Sequence, residues 1–508
     1  LSDPPAAGWE RWLRELEERL GLARAMGGPA KLERLRTDGR LAARERVSRL
    51  CDPGSFREIG ALVGGAPPSG GERIPADGLV AGVGFVAGRP LALFAEDAST
   101  QGGSIGHGGH AKRVRVARLA LQECMPLVML LDGAGERVTN ALERYAHAPN
   151  DLQALAGMSG KVPTLALVLG ASAGHGALCA MLADVVVATE SASLFSAGPA
   201  LVAAALGEQV DKQQLGGASM HARESGVVHE LVKSEDEAFA FARRLLSYLP
   251  SSAWERPRTD PEAPGERRLD GILERLPEAS QRPYDVRAVL ELVFDDASLL
   301  ELQPLYGRAL VTSLARLGGR PLLAVANQPA VRAGAIDAPA AEKATHFLEF
   351  ADAFHLPVVF FADNPGVLAG SRAERAGTLR AAARMYAAQS ALRVPKLHVT
   401  LRKAFGFGSS LMGMNPFDGQ SVTLALPPVR LGGVPATSGG VAAGTDAETQ
   451  ARLEAVQGGG AWAAADNLGY DEVVDPRELR NRLLSVLRSS EGRERTPAQP
   501  AERTGVRP

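Results

Sequence analysis

The sequence predicts an α/β protein built from two related halves, and two observations lead there. Landmarks recur at one spacing: "GRPLAL" begins at Gly88 and "GRPLLA" at Gly319, and the pairs Lys112/Lys343, Pro126/Pro357 and Asp132/Asp363 share the same offset of 231 residues. Short apolar runs of strand length, such as 127–131 and 358–361, alternate with helical segments such as 111–124 and 343–354. Alternating β and α elements imply a layered α/β core in each half.

At 508 residues the chain exceeds the usual single-core range, so each half is expected to fold around its own core. The segment "PSSAWERPRTDPEAPGERRLD", starting at Pro250, is rich in Pro and charge and has no hydrophobic period. It divides the chain into a first domain over 1–250, a linker over 251–270 and a second domain over 271–488. The last stretch, 489–508, has the composition of a disordered tail.

Composition removes several classes of function. Lys+Arg 56 against Asp+Glu 58 leaves a formal charge of only -2, so there is no basic field for nucleic acid. Cys51, Cys124 and Cys179 are odd in number and far apart, which argues against a disulfide framework and a Cys-based zinc site; a reducing cytoplasm is the expected compartment. The opening "LSDPPAAGWERWLRELEERLG" reads as a turn and an amphipathic helix without a signal-peptide core. No window reaches about 18 uninterrupted apolar residues, so a soluble protein with no membrane partner is expected.

Chemistry concentrates where "VPTLALVLGASAGHGA" is echoed by "VPKLHVTLRKAFGFGS", with Pro163 and Pro395 now 232 apart. The echo aligns Gly174-His175-Gly176 with Gly406-Phe407-Gly408. Glycines after a strand let the backbone approach a ligand, and N–H groups at a helix start lack intrahelical acceptors. Aimed at an oxygen that gains charge, such groups form an oxyanion hole. The twin of His175 is Phe407, which moves no protons, so the shared donor is read as the main-chain N–H, with a role for the imidazole as the lesser alternative. The same window completes G-x-S-x-G around Ser172, with Asp184 and His221 in workable order for a hydrolase, but the twin of Ser172 is Ala404. "GVGFVAG" lacks the dinucleotide spacing. "HGGH", with His107 and His110, offers two metal ligands and no evident third, so no metal site is expected.

These stretches also carry a resemblance. "GHGALCAMLADVVVATESASLFSAGP" resembles the oxyanion-hole helix of the crotonase superfamily, and more closely that of the carboxyltransferase β subunits of biotin-dependent acyl-CoA carboxylases. "GRLAARERVSRLCDPGSFREI", "EDASTQGGSIGHGGHAKRV", "FSAGPALVAAALGEQVDKQQLGGASMHARESGVV", "GGRPLLAVANQP" and "LPVVFFADNPG" are similar to segments of that family, collinear over nearly the whole chain. The resemblance implies two tandem crotonase-like (ββα-spiral) domains. It implies an enzyme that moves a carboxyl group from carboxybiotin to the α, or vinylogous γ, carbon of an acyl-CoA. The first half would bind acyl-CoA and the second half, of a neighbouring subunit, carboxybiotin. Two holes suit this chemistry, because charge develops on the thioester oxygen and on the ureido oxygen in turn, and the ureido anion could then take the α proton.

Carried over by position, the resemblance makes His175 and Gly176 the acyl-side donors, with Gly102 and Gly103 on the opposite wall and Ala134, Gly135, Gly174 and Ala177 around the acyl-CoA. Phe407 and Gly408 become the biotin-side donors, with Ala333 and Gly334 opposite and Gly406, Ser409 and Ser410 lining the site. Leu178 stands where crotonase hydratases carry a glutamate, which removes hydration. With no "MKM"-like sequence and no ATP-grasp signature, biotin is expected on a separate biotin carboxyl carrier charged by a biotin carboxylase subunit. The family implies a homo-oligomer of dimers, often a hexamer. The chain departs from the family in "DGAGER" for "DSGGAR", which introduces Glu136, in "FGFGSS" for "YGGAY", and in "LGGVPA", where Pro435 lacks an N–H. The altered second half leaves open a decarboxylase or biotin-independent enolate enzyme on the same fold, or an inactive scaffold subunit.

Overall fold

The computed structural model describes residues 5–64, 73–142, 151–495 and 497–501. The chain forms two compact units that meet in sequence between Leu246 and Ser247. In the first, a seven-stranded sheet runs in the order Arg57–Glu58, Leu79–Val86, Arg89–Glu96, Leu127–Leu131, Thr164–Val168, Val185–Thr189 and Glu230–Val232. The first two pairings are antiparallel and the rest parallel. The parallel strands from Leu127 to Thr189 are buried at every position, so they read as continuous apolar runs rather than as alternation.

The second unit repeats this pattern with Leu300–Leu302, Leu310–Leu317, Arg320–Asn327, Val358–Asn364, Lys396–Phe405, Val422–Ala425 and Glu472–Val473. The hairpin strands Arg89–Glu96 and Arg320–Asn327 and the helices His107–Gln122 and Ala338–Ala353 keep the 231-residue offset residue for residue. The repeat is therefore structural, a duplicated crotonase-like α/β fold. No helix among the described residues is long and apolar enough to cross a membrane.

The repeated polar landmarks prove to be internal ties. Lys112 Nζ donates to the carbonyls of Leu79 and, at 3.1 Å, Ala76, while Lys343 Nζ donates to those of Leu310 (2.7 Å), Tyr306 (2.8 Å) and Gln303 (3.3 Å). Burial lowers the two amines to about 8 and about 7 respectively. Asp132 pairs with Arg40 and, at 2.9 Å, with Arg46, whose guanidinium also grips Glu235 at 2.7 Å. Asp363 pairs with Arg402 at 2.7 Å and accepts from the Tyr284 hydroxyl at 3.0 Å. The stretch "GRLAARERVSRL" thus anchors the end of a core strand.

Two expectations need correction. Residues 251–270 form no helix or strand, yet they lie on the second unit: Asp260 N–H donates to Gly319 O, Leu269 N–H to Arg477 O, and the buried Arg480 to the carbonyls of Pro264 and Gly265. Main-chain pairing needs no hydrophobic period, so composition does not reveal it. Of the expected tail, Ser490–Arg495 is a 3-10 segment continuing helix Leu479–Ser489, with Ser490 Oγ donating to Val486 O at 2.8 Å. Residues 502–508 lie outside the described residues.

Candidate active site

In the first unit the short strand Ala171–Ala173 pairs with Ser193–Phe195 and delivers the chain to helix His175–Met181. Between them Gly174 adopts φ 53° and ψ -116°, a left-handed setting that glycine alone takes cheaply, and its N–H is spent on Phe195 O. The main-chain N–H groups of His175 and Gly176 have no acceptor among the described residues. The loop of the opposite wall holds three successive positive φ values, at Gln101 (51°), Gly102 (64°) and Gly103 (67°). Gly103 donates to Thr100 O inside this turn, whereas the Gly102 N–H has no acceptor among the described residues. Gly102 is therefore the available donor, and Gly103 forms the turn that presents it.

A third loop laces the two walls together. Ala134 N–H donates to Gly102 O and Ala173 N–H to Gly133 O, and a Cβ on Gly135 would stand 2.6 Å from Ala173 O. Below them lies Glu96, fully buried, accepting from Asp132 N–H at 2.6 Å and pairing with Arg113 at 2.5 Å. Burial pushes its carboxyl up, opposed by the Arg113 charge. Ala177 completes the first turn of the helix, buried, while Leu178 points outward, 49 % exposed, with no carboxylate at the hydratase position.

The second unit rebuilds the same cradle with other side chains. Strand Lys396–Phe405 runs into helix Gly406–Leu411, and Gly406 takes φ 55°, as Gly174 does. Neither Phe407 nor Gly408 has an acceptor for its N–H outside the helix among the described residues, and first-turn positions have none within it. Opposite, Arg332 (49°), Ala333 (55°) and Gly334 (84°) repeat the left-handed run. Gly334 donates to Val331 O, and the Ala333 N–H has no acceptor among the described residues. Two non-glycine residues in this region are costly and mark a geometry held by its surroundings. Asn327 occupies the place of Glu96: its Oδ1 accepts from Asp363 N–H at 3.1 Å and Asn364 Nδ2 at 3.0 Å, and its Nδ2 donates to Gly334 O.

At this lip the Phe407 ring is 54 % exposed. Ser409 Oγ donates to Gly406 O at 2.6 Å, and the Ser410 carbonyl accepts from Gln389 Nε2 at 3.2 Å. Pro435 stands just before helix Ala436–Ala443, where its carbonyl accepts from the N–H groups of Gly439 (2.8 Å) and Ser438 (3.1 Å) and from Ser438 Oγ (3.2 Å).

One cluster was not legible in the motif spacing. His110 Nε2 lies 2.8 Å from Glu136 Oε2 and its Nδ1 3.1 Å from Asp151 Oδ1, and the same Asp151 oxygen lies 2.7 Å from His175 Nε2. Burial works against charge on all three of His110, Glu136 and Asp151, yet hydrogen bonds outweigh it: Asp151 and Glu136 raise the imidazole, Asn140 and His110 lower Glu136, and His110 and His175 lower Asp151. His110, His175 and Glu136 each carried a separate signal in the sequence, in "HGGH", "GHG" and "DGAGER"; Asp151, which joins the two histidines, carried none. The hydrolase alternative has no geometry behind it. Ser172 is fully buried with no hydrogen-bond partner for its Oγ among the described residues, His221 contacts Ser225 Oγ and Leu194 O, and Asp184 accepts from Thr164.

Comparison with known proteins identifies the family. Residues 34–503 match the family profile described as "Carboxyl transferase domain". The chain is 32 % identical over 480 residues to the methylmalonyl-CoA decarboxylase subunit alpha of Veillonella parvula, covering 93 % of this chain and 94 % of that one. It is 32 % identical over 519 residues to the methylmalonyl-CoA carboxyltransferase 12S subunit of Propionibacterium freudenreichii subsp. shermanii, covering 98 % of each. A crystal structure of transcarboxylase 12S, described as a hexamer with methylmalonyl-coenzyme A and methylmalonic acid bound, superposes with a TM-score of 0.89 at 30 % identity, covering 99 % of this chain and 100 % of that one. With a profile match over nearly its whole length and relatives of this closeness, the chain belongs to the carboxyl transferase domain family.

Proposed function

We propose that this chain is an acyl-CoA carboxyltransferase that works with a biotin carrier on a separate subunit. The observation that carries the reading is the doubled cradle: in each unit a left-handed glycine opens a helix whose first N–H groups lack acceptors among the described residues, beside a left-handed turn with one more such N–H. A reaction that builds charge on one oxygen needs one such site; a transfer between two carbonyl compounds needs two.

In the first unit the N–H groups of His175, Gly176 and Gly102 hold the thioester oxygen as it becomes an enolate, with Gly103, Ala134, Gly135, Gly174 and Ala177 shaping the wall. In the second, those of Phe407, Gly408 and Ala333 hold the ureido oxygen, and Gly334, Gly406, Ser409 and Ser410 line the pocket. The residues present fit a neutral, fused-ring urea: an exposed aromatic lip, unspent N–H donors and an uncharged Asn327 beneath them. When bound, carboxybiotin supplies the carboxyl group. Holding each oxygen as its charge grows lowers the barrier in both directions, so malonyl-type thioesters belong among the substrates tested, in line with the likeness to a decarboxylase subunit.

The three free cysteines suit a reducing cytoplasm. Assembly into a homo-oligomer fits helix Pro199–Leu206, which buries no residue and exposes Leu201 and Leu206, and Val441 on helix Ala436–Ala443, 82 % exposed. The test is transfer of labelled carboxyl from a carboxylated biotin carrier to a panel of acyl-CoAs from acetyl to long chain. Carrier-dependent label in at least one thioester is expected, and none in any would overturn the reading.

A further inference from the structure

The two lips differ in a way that the shared backbone does not explain. Where the second unit presents the Phe407 ring, the first presents His175 with a carboxylate behind it, Asp151 Oδ1 at 2.7 Å from Nε2. Asp151 is fully buried; its Oδ1 also meets His110 Nδ1 at 3.1 Å, and its Oδ2 lies 3.9 Å from Arg113 Nε and from Cys179 Sγ. The far side of His110 meets Glu136, whose other oxygen accepts from Asn140 Nδ2 at 2.5 Å. The two imidazoles pack edge to face with centroids 4.8 Å apart.

Hydrogen-bond inventory fixes the protons. An ionised carboxylate only accepts, so each ring nitrogen facing one carries a hydrogen. His110 faces a carboxylate at both nitrogens and is therefore the imidazolium, which balances Asp151 or Glu136. His175 faces one only at Nε2, so its hydrogen is there and Nδ1 holds the lone pair. Among the described residues the ring's one hydrogen bond is that of Nε2, so Nδ1 is unspent, and four covalent bonds separate it from the main-chain nitrogen assigned to the hole. A buried carboxylate that sets the tautomer of a histidine, leaving the other nitrogen with its lone pair on the same residue as a proposed oxyanion donor, matches the arrangement of a positioned general base.

We propose that the His175 imidazole, oriented by Asp151, takes and returns the α proton of the bound thioester, giving this protein an activity independent of biotin: reversible enolisation of its acyl-CoA. The inference rests on the reading of the first unit as the acyl site. In the step the Cα–H bond breaks and its proton passes to Nδ1. The electron pair forms the Cα=C bond as the carbonyl π pair moves to the oxygen held by the N–H donors. Return of a proton from Nδ1 restores the thioester, so nothing is consumed, and in deuterated water the returning proton is a deuteron. His110 and Glu136 are positioning residues that act through Asp151.

The experiment uses the full chain with EDTA and without biotin or carrier. Binding of acyl-CoAs from acetyl to long chain is measured by calorimetry, and α-deuterium uptake in D2O is followed by mass spectrometry at saturating thioester. The wild-type protein should exchange the α protons of a thioester that binds. His175→Phe installs the residue of the twin and keeps the main-chain donor; His175→Gln is the second variant should the first not fold. Each should slow exchange by about 100-fold or more. Asp151→Asn should slow it less and alter its pH profile, which a purely structural residue would not do. No exchange despite binding, or equal exchange in the histidine variants, would overturn the proposal alone. If no acyl-CoA binds, the acyl-site reading falls and takes the proposal with it.

Discussion

Substituting Gly408 by alanine separates the two holes. An added Cβ there would stand 2.7 Å from Asn364 Oδ1 and 2.8 Å from both Cα and C of Gly366, where ordinary contact begins at 3.4 Å, a shortfall of about 0.6 Å. Neither neighbour yields easily. Asn364 is pinned by Asn327 at 3.0 Å and by the Gly366 N–H at 3.0 Å, and Gly366 contributes main chain. The start of helix Gly406–Leu411 has to move instead, and a displacement of that size carries a donor from hydrogen-bond distance to the edge of its range. Losing one oxyanion donor costs about 3 kcal/mol in the barrier, so kcat for carboxyl transfer should fall by about 10²- to 10³-fold. Overpacking should cost about 1–3 kcal/mol of stability. Transfer from a carboxylated carrier is followed at saturating acyl-CoA, with acyl-CoA affinity from calorimetry and folding from thermal melting. The first unit contains none of the altered contacts, so affinity should stay unchanged. A kcat within threefold of wild type in a folded protein would refute the role of Gly408. An equal loss of acyl-CoA affinity would refute the division of labour.

Three further outcomes follow from the ties and surfaces. Arg46→Leu leaves the buried Glu235 carboxylate without its partner and should destabilise the protein by about 3–5 kcal/mol, read from the urea midpoint; a shift below about 1 kcal/mol would show that Arg40 alone holds Asp132. Burial raises Asp184 to about 7, against an unfolded value of about 3.9. Between those values the folded state keeps a proton that the unfolded state has released, so this group makes stability fall as pH rises, by up to about 1.4 kcal/mol per pH unit. Asp184→Asn, which can keep accepting from Thr164, should flatten the melting temperature between pH 4 and 7; parallel profiles would contradict the buried acid. Replacing Leu201 and Leu206 together by glutamate should shrink the assembly in sedimentation velocity without lowering the melting temperature of the chain, and an unchanged sedimentation coefficient would place the interface elsewhere.

The duplicated α/β fold was legible because a parallel core writes itself as apolar runs and because duplication supplies its own ruler: Gly88 and Gly319, or Asp132 and Asp363, mark equivalent strand ends before any coordinates. The convergence of the loops at Gly102, Ala134 and Gly174, and at Ala333 and Gly406, was legible only through resemblance, since nothing local to "TQGGS" says that it faces "GHGAL". What remained hidden was long-range and polar. Asp151 meets His110 and His175 from 41 and 24 residues away, and Glu96 meets Asp132 from 36, so no periodicity connects them. The linker was misjudged because what holds it follows no period: main-chain bonds, the buried Leu269, and the Arg267 guanidinium on Leu292 O and Phe294 O.

The duplication also serves as an internal control on what the backbone does by itself. Both units spend the N–H of Gly103 or Gly334 inside the turn and, among the described residues, leave that of Gly102 or Ala333 unspent, so the donor geometry is common property of the fold. The support beneath is not. The first unit places a charged pair there, Glu96 with Arg113, while the second places the neutral amides of Asn327 and Asn364. A fixed negative charge under an oxyanion hole is tolerable only with its counter-ion in contact, and Arg113 provides that at 2.5 Å. Replacing the pair by neutral side chains in the first unit, Glu96→Gln with Arg113→Leu, should therefore cost less than Glu96→Gln alone, because the single change strands a buried guanidinium. Thermal melts of the two single variants and the double variant give the coupling directly. A double variant less stable than the sum of the single ones would mean that the charges do more than neutralise each other.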